Sequence, residues 1–399
     1  MKLKKICFVT DEYDYPTFLA TGGIGTFIKN LAYELRDKGI EVNVFYQIYD
    51  NNIGRASVIN DNGVIIYSVL RSNYIIDKFI SGLHIIRISS LKRALISEIL
   101  YKLYFSTQLY LFAIRNKIDI FEFNDFSGNS CFFMKRNVVV RCHGTAKTLY
   151  EHMNYPKNEK SIFFEKMAFK KHKNIICVSK YCRDVTSKSF NLKEVPKVIY
   201  NSVKIHPLGL NEIRNNYNNK AIYYFGSLRE RKGIIIACNV INESIRRHPD
   251  LTFHLIGKNE NNNWENICLK ILSSESLKRT VYHGSMEQSK ALEFLNNAHV
   301  VIFPSYGENF SLALLEVMAM GKIVITSSIP SYLEVIKDTH NGFIATNESD
   351  YIKWIDYIFK NNQLINISQN AFNTVANNFD SKKVVVENIK YYNSILNKV

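Results

Sequence analysis

Two glutamates eight residues apart offer the most specific chemistry in this sequence. Glu308 lies in Pro304-Ser305-Tyr306-Gly307-Glu308-Asn309-Phe310-Ser311-Leu312, and Glu316 in the apolar run Ala313–Met320. The glycine-bearing loop leaves a strand-like stretch, Val300–Pro304, and enters a helical one, Leu312–Met320. At such a junction backbone N–H groups and the positive end of the helix dipole attract a phosphate. The backbone of Gly307, Asn309, Phe310, Ser311 and Leu312 is therefore a candidate phosphate cradle. Glu316, two turns into the helix, suits the paired hydroxyls of a ribose. Glu308, nearer the loop, is placed for a sugar hydroxyl. The plainer alternatives are a helix N-terminal acid and a solvated helix residue. Against the second, a lone carboxylate in Ala313-Leu314-Leu315-Glu316-Val317-Met318 needs a partner.

A second constellation is Gly226-Ser227-Leu228-Arg229-Glu230-Arg231-Lys232-Gly233. Arg229, Arg231 and Lys232 put three cations on a strand-to-helix loop that opens with Gly226 and Ser227, which matches a pyrophosphate. A solvated basic turn is the alternative. Thr21-Gly22-Gly23-Ile24-Gly25-Thr26-Phe27 follows the first strand, and Gly23 and Gly25 would let a ligand approach the backbone closely. Its spacing is not G-x-G-x-x-G, and a tight turn explains it as readily. Arg141-Cys142-His143-Gly144-Thr145 ends another strand, where an open α/β sheet presents its ligand side. A packed histidine is the other reading of His143.

The elements that must carry these loops repeat in two halves. In the first, strands are expected at Ile6–Thr10, Val42–Tyr46, Ile118–Phe123, Val138–Cys142 and Asn174–Val178. Between the first two, a loop holds Gly22–Gly25, and Phe27, Leu31 and Leu35 then recur at helical spacing before Gly39. Apolar strands alternating with helices imply a buried parallel sheet. The second half restarts at Ile222–Phe225, with a helix at Ile234–Arg247 and strands at Thr252–Ile256, Val281–His283, Val300–Pro304 and Ile323–Thr326. The expected class is α/β, with domains at 1–203 and 204–379, an Asn-rich linker over 204–219 and a terminal helix over about 380–399.

Charge narrows the partners. The 399 residues carry a net +15, and residues 1–203 hold 30 basic and 18 acidic side chains, so the excess sits in the first half. Residues 78–117 contain Lys78, Arg87, Lys92, Arg93, Lys102, Arg115 and Lys117 against one acid, Glu98, interleaved with apolar residues such as Leu95, Ile99 and Phe112. They read as one or two basic amphipathic helices that suit an anionic membrane surface, or as ordinary helices whose apolar face is core. No helix-turn-helix, zinc or RNP pattern accompanies the charge, so nucleic acid is not expected. No apolar run approaches the ~18 residues of a spanning helix, and the short run after Lys5 disfavours a signal peptide. Seven cysteines without a C-x-x-C pair read as reduced core thiols in a cytoplasmic protein, and no metal site is expected.

Taken together, the motifs resemble those of retaining glycosyltransferases of glycosyltransferase family 4, which have the GT-B fold. Glu308 and Glu316 in G-E-N-F-S-L-x-x-L-E resemble the family's Glu-x7-Glu signature. Gly226–Gly233 resembles its G-R-L-x-x-x-K-G loop, Gly22–Phe27 its N-terminal glycine loop, and His143-Gly144 its H-G element. Val178-Ser179 and Tyr200-Asn201-Ser202-Val203 match two further landmarks. The resemblance implies two Rossmann-like domains with parallel sheets facing a central cleft, and a C-terminal helix crossing back to the first domain. It implies a nucleotide-diphosphate sugar donor, UDP- or GDP-linked, on the second domain, with no permanent cofactor, and a glycan or lipid-linked acceptor on the first. Glu316 would hold the ribose, Glu308 the donor sugar, and Lys232 with the Gly307–Leu312 backbone the diphosphate, without a metal. Catalytic roles would fall to Glu308, Lys232 and His143. One departure stands out: the family's arginine after the first loop glycine is Ser227 here, and Arg229 or Arg231 replaces it. The expected activity is retaining sugar transfer in surface polysaccharide synthesis. A GT-B nucleotide-sugar 2-epimerase is the runner-up.

Overall fold

The structure, a computed structural model, describes residues 2–16, 18, 22–48, 57–71, 73–85, 89–205, 220–361 and 364–398. The chain divides into two compact units, Met1–Tyr200 with Ser381–Val399, and Asn201–Asp380. Thr21, Ile86, Arg87 and residues 206–219 of the expected linker lie outside the described residues.

The first unit is built on strands β1 (Lys5–Thr10), β2 (Glu41–Ile48), β3 (Ser57–Asp61), β4 (Val64–Leu70), β5 (Ile120–Asn124), β6 (Val138–Cys142), β7 (Ile175–Cys177) and β8 (Lys197–Val198). Their order is β3-β4-β2-β1-β5-β6-β7-β8. Central strands such as β5 and β6 are buried at every residue, as parallel strands covered on both faces must be. The hairpin β3–β4 is the one antiparallel pair among the described strands. It turns at Asn62 and Gly63, both at positive φ (50° and 89°). The right-handed twist of the strands favours such an Asn-Gly turn. The dipeptide is plain in the sequence, but the alternation beside it is weak and no strand was expected there.

Helix α1 (Gly23–Asp37) starts directly after Gly22, so Gly23 and Gly25 occupy its first turn rather than a loop. The reason is local: Gly22 is extended and caps the helix, and its N–H donates to Glu12 Oε2 at 3.2 Å. The face Phe27, Ile28, Leu31 and Leu35 is buried.

The described part of 78–117 falls mainly in α2 (Tyr74–Ile85) and α3 (Ser90–Asn116). Lys102 does not belong to a solvent-facing basic surface. It is 3% exposed, and its ammonium donates to Ser127 O (2.8 Å) and Asn129 Oδ1 (2.5 Å), with Glu98 at 3.6 Å. Burial holds its pKa below the ordinary lysine value despite Glu98. It shares the inward face of α3 with Phe105, Leu109 and Phe112, where its charge satisfies a turn rather than meeting solvent.

The terminal helix, Ser381–Leu396, packs within the first unit. Arg141 on β6 is fully buried, with Nε 2.7 Å from Glu122 Oε1 on β5. Tyr392 of the terminal helix donates to Glu122 Oε2 at 2.6 Å, and Asn388 Oδ1 accepts from Arg141. The guanidinium also stands 4.9 Å from the Phe27 ring of α1. One buried ion pair thus ties two strands, α1 and the terminal helix.

The second unit carries β9 (Ala221–Phe225), β10 (Thr252–Ile256), β11 (Thr280–Tyr282), β12 (Val300–Phe303), β13 (Ile323–Ser327) and β14 (Phe343–Ala345), in the order β11-β10-β9-β12-β13-β14. Every pair is parallel. Chain order reverses between β9 and β12, so the loops leaving these neighbours emerge side by side at the switch point where open α/β sheets bind ligands. All seven cysteines are buried and unbridged. Among the described residues no helix is long and apolar enough to cross a membrane.

The Glu122–Arg141 pair has a checkable energetic signature. Arg141→Met should destabilise the first unit by about 3–5 kcal/mol, because Glu122 is left as a buried charge without its cation. Replacing both, as Glu122→Leu with Arg141→Met, should cost less than Arg141→Met alone. Chemical denaturation of the singles and the double compares them directly.

Candidate active site

The two loops at the switch point meet through their backbones. Gly233 ends the basic loop at φ +76°, and a Cβ built there would lie 1.9 Å from the carbonyl oxygen of Pro304. Only glycine permits both that conformation and that approach. The Tyr306 N–H then donates to Arg231 O at 2.8 Å, joining the loops at their middle. Two buried tyrosines support them, one from the sheet and one from the short helix Pro330–Leu333. Tyr224 on β9 directs its hydroxyl at Ser227 O (2.9 Å) and Lys232 O (3.3 Å), at either end of the basic loop. Tyr332 reaches Ser305 Oγ at 3.1 Å beneath the other loop.

This scaffold places Glu308, Arg231 and Lys232 together. Glu308 is 7% exposed, and its Oε1 lies 2.7 Å from Lys232 Nζ and 3.0 Å from Arg231 NH1. Arg231 also donates to the carbonyl of Gly307. Burial alone would raise the Glu308 carboxyl, but the Lys232 and Arg231 charges outweigh it and hold the pKa below the usual carboxylate range. The group is an ionised acceptor flanked by two cations. Arg229 is not part of it: its guanidinium turns to Glu260 at 2.8 Å, and its side chain is 41% exposed. Gly226 opens the loop with its N–H on Ile256 O at 2.9 Å, and Ser227 follows as the carbonyl that Tyr224 holds.

Beyond the loop, Ser311 caps the helix Leu312–Ala319 by accepting from Leu314 N. Asn309 and Phe310 are buried in the loop, and the Phe310 ring stands 5.6 Å from that of Phe379. Glu316 is half-buried on the helix, and the partner it needs is Gln288, whose amide donates to Oε1 from the helix Gln288–Leu295. No cation offsets its burial as Lys232 and Arg231 do for Glu308, and its pKa is pushed up to about 7. The two glutamates of one motif therefore differ in electrostatic state.

The remaining candidates, Gly23, Gly25 and His143, lie in the first unit. His143 packs edge-on against Phe27 of α1, with centroids 5.0 Å apart. Burial, aided by Arg141, pushes its pKa down to about 3, so the imidazole is neutral near pH 7. Its loop hangs on two buried carboxylates that sequence reasoning did not single out. Asp125, after β5, accepts the N–H groups of His143 (3.1 Å) and Gly144 (3.0 Å). Glu165, on the helix Glu159–Lys171, accepts those of Ser127 (3.2 Å), Ala146 (2.7 Å) and Lys147 (3.3 Å). Burial raises Asp125 to about 6 and Glu165 to about 7, partly offset by these N–H donors. Among the described residues, no group of three His, Cys, Asp or Glu side chains is arranged to hold a metal ion.

Comparison with known proteins agrees with this geometry. Residues 21–206 match the family model "Glycosyltransferase Family 4", and residues 210–374 match "Glycosyl transferases group 1". The chain belongs to the GT-B glycosyltransferases. Among its relatives is an uncharacterised glycosyltransferase of Methanocaldococcus jannaschii, 28% identical over 66% of this chain and 70% of that protein. Another is the N,N'-diacetylbacillosaminyl-diphospho-undecaprenol alpha-1,3-N-acetylgalactosaminyltransferase of Campylobacter jejuni, 27% identical over 32% of this chain and 34% of that protein. In fold the glycosyltransferase is similar to Anabaena HepE, solved with UDP and glucose: the TM-score is 0.71 at 16% identity, covering 98% of this chain and all of that one. Sugar transfer is thus its chemistry.

The state of Glu316 carries a prediction. Its pKa is raised from 4.5 to about 7, so the ionised form costs stability. That cost is absent below pH 4.5 and fully present only above pH 7. Glu316→Gln should therefore raise the unfolding midpoint at pH 8 and leave it nearly unchanged at pH 4.5. At an intermediate pH near 6 the gain from Glu316→Gln should lie between these two limits. Thermal unfolding over this pH range checks the series.

Proposed function

We propose that this glycosyltransferase moves a sugar, with retention of configuration, from a UDP- or GDP-linked donor held by the second unit to a hydroxyl of a glycan or lipid-linked acceptor of surface polysaccharide synthesis. The observation that carries the reading is the buried set of Glu308, Arg231 and Lys232 at the switch point of β9 and β12. Arg231, rather than Arg229, stands in for the arginine absent at Ser227, because Arg231 alone of the two reaches the Glu308 loop. UDP and glucose in the structure of HepE, and the lipid-linked acceptor named for the Campylobacter relative, support the substrate classes.

In the reaction the bond between the anomeric carbon and the diphosphate oxygen breaks, and the negative charge develops on that oxygen. Lys232, Arg231 and the N–H groups of the Gly307–Leu312 segment stabilise it where it appears. Two fixed cations next to the leaving group make a divalent metal unnecessary. Glu316 accepts from the ribose, and Glu308 accepts from a hydroxyl of the transferred sugar. The acceptor oxygen then enters on the face the diphosphate leaves, giving up its proton to a departing phosphate oxygen. Gly23 and Gly25 are proposed as donor-binding positions, and the neutral His143 as a catalytic one. The reduced state of seven buried thiols supports a cytoplasmic setting.

A membrane surface is proposed to carry the acceptor, and α2 and α3 are the elements that meet it. On α2, Tyr74 and Ile75 are 77% and 75% exposed, beside Phe79 and Lys78. On α3, Leu103, Tyr110, Leu111 and Ile114 share an exposed face that runs into Arg115 and Lys117. Apolar side chains bordered by cations suit an anionic interface.

Activity assays and liposome binding test these readings. With donor and acceptor supplied, Lys232→Ala should lower kcat by about 10²–10³, while excess EDTA leaves the rate unchanged and product analysis finds the donor's anomeric configuration kept. Donor incubated alone should not epimerise. In liposome co-sedimentation, binding should require anionic lipid, fall with salt and drop when Tyr74, Ile75 and Phe79 are replaced together by Ser. Lys102→Gln should destabilise the unit instead.

A further inference from the structure

The cations assigned to the donor diphosphate are not waiting in open solvent. Lys232 Nζ and Arg231 NH1 both close on one oxygen, Oε1 of Glu308, at 2.7 and 3.0 Å. The carboxylate side chain is 8% exposed and the cations 22% and 20%, so water screens these contacts poorly. Two charge-assisted bonds onto a single carboxylate oxygen resemble what a phosphate oxygen would receive from the same pair. The anion cradle therefore already contains an anion, and it is one of the protein's own residues.

We infer that Glu308 is the internal counter-ion of the diphosphate site, holding Arg231 and Lys232 in place without donor and giving them up when the diphosphate binds. The inference rests on the proposed donor site. Its physical basis is competition: a diphosphate near these cations must either displace the carboxylate or bear its repulsion at close range. Displacement has a consequence for order. Once its cations turn to the phosphates, the Glu308 carboxylate is an acceptor short of donors in a buried site, and the hydroxyls of the donor sugar can supply them. The diphosphate thus releases the group that receives the sugar. A bare nucleoside carries no phosphate and leaves the carboxylate on its cations.

Glu308 also lowers affinity for the product. The natural protein gives up diphosphate binding strength so that the carboxylate can return and expel the nucleoside diphosphate after transfer. Removing the charge while keeping the shape should reverse this.

The test is calorimetric titration of UDP, GDP, inorganic pyrophosphate and uridine into the full chain. Glu308→Gln should bind UDP or GDP, whichever the natural protein binds, and also pyrophosphate, about tenfold more tightly than the natural protein does. Uridine affinity should be unchanged, and the gain should vanish in Glu308→Gln with Lys232→Ala. In donor assays the same variant should turn over more slowly and be more strongly inhibited by the product nucleotide. Should Glu308→Gln fold poorly, Glu308→Asp, which draws the carboxylate back by one methylene, should give a smaller gain of the same sign. Unchanged or weaker diphosphate affinity in the folded variants, with Lys232→Ala weakening it, would overturn the counter-ion role and leave the donor site standing. If neither Lys232→Ala nor Arg231→Ala weakened pyrophosphate binding, the donor-site reading itself would fall.

Discussion

A buried carboxylate held between two cations is the constraint on which the second unit's architecture turns. Glu308 is tolerable inside the protein only because Lys232 and Arg231 come from a different loop to meet it. That meeting requires β9 and β12 to be neighbours although they are far apart in sequence. It requires Gly233, whose missing side chain lets one loop touch the carbonyl of Pro304. It also requires Tyr224 and Tyr332, whose hydroxyls brace the two loops. A charge cluster of this kind is loosened by small displacements, because the interaction falls steeply with distance and solvent entry. The backbone contacts around it serve that precision.

The first unit solves a related problem with the opposite charge balance. Among the described residues Asp125 and Glu165 are buried without a cation on either, and instead collect backbone N–H groups from the loop that holds His143. N–H donors offset burial less completely than full charges do, which is why both pKa values are raised while that of Glu308 is lowered. The arrangement fixes the loop backbone without introducing a cation beside His143 beyond Arg141. That guanidinium is occupied by Glu122, Asn388 and Tyr392. The imidazole stays neutral, fit to exchange hydrogen bonds rather than to carry charge.

Much of this was legible in the sequence, and what was not has identifiable causes. The helix Ile234–Arg247 and the strands Thr252–Ile256 and Val138–Cys142 stand where apolar periodicity put them. The clustering of Glu308 with Lys232 was implied by motif resemblance, since spacing in the chain says nothing of which loops become neighbours. Tyr224 escaped notice because a tyrosine in a buried strand reads as core, and only its hydroxyl partners reveal its task. Glu165 escaped for a similar reason: on an amphipathic helix an acid reads as a solvated residue. Gly23 and Gly25 were expected in a loop, yet helix α1 begins at once because Glu12 receives the N–H of its cap. Lys102 misled most. Composition counts a lysine as surface charge, but on a 27-residue helix with a buried face its stem and ammonium both turn inward.

The contrast between Glu308 and Glu316 shows why one motif needs two carboxylates rather than one with two contacts. Both belong to one loop-and-helix motif, and identical chemistry in identical surroundings would give identical acceptors. Their surroundings differ: cations keep Glu308 ionised, whereas among the described residues Glu316 meets the amide of Gln288 and no cation, and its pKa is pushed up to about 7. Environments that push paired acids apart assign them separate tasks. A carboxyl poised near pH 7 is sensitive to the hydroxyls it meets, because each hydrogen bond it accepts also favours its ionisation. It suits a group that need only recognise and hold. A carboxylate locked to two cations answers to whatever competes for those cations, and a diphosphate competes best. In the proposed donor site, Glu308 is thus tied to the charge of the leaving group, and Glu316 is not.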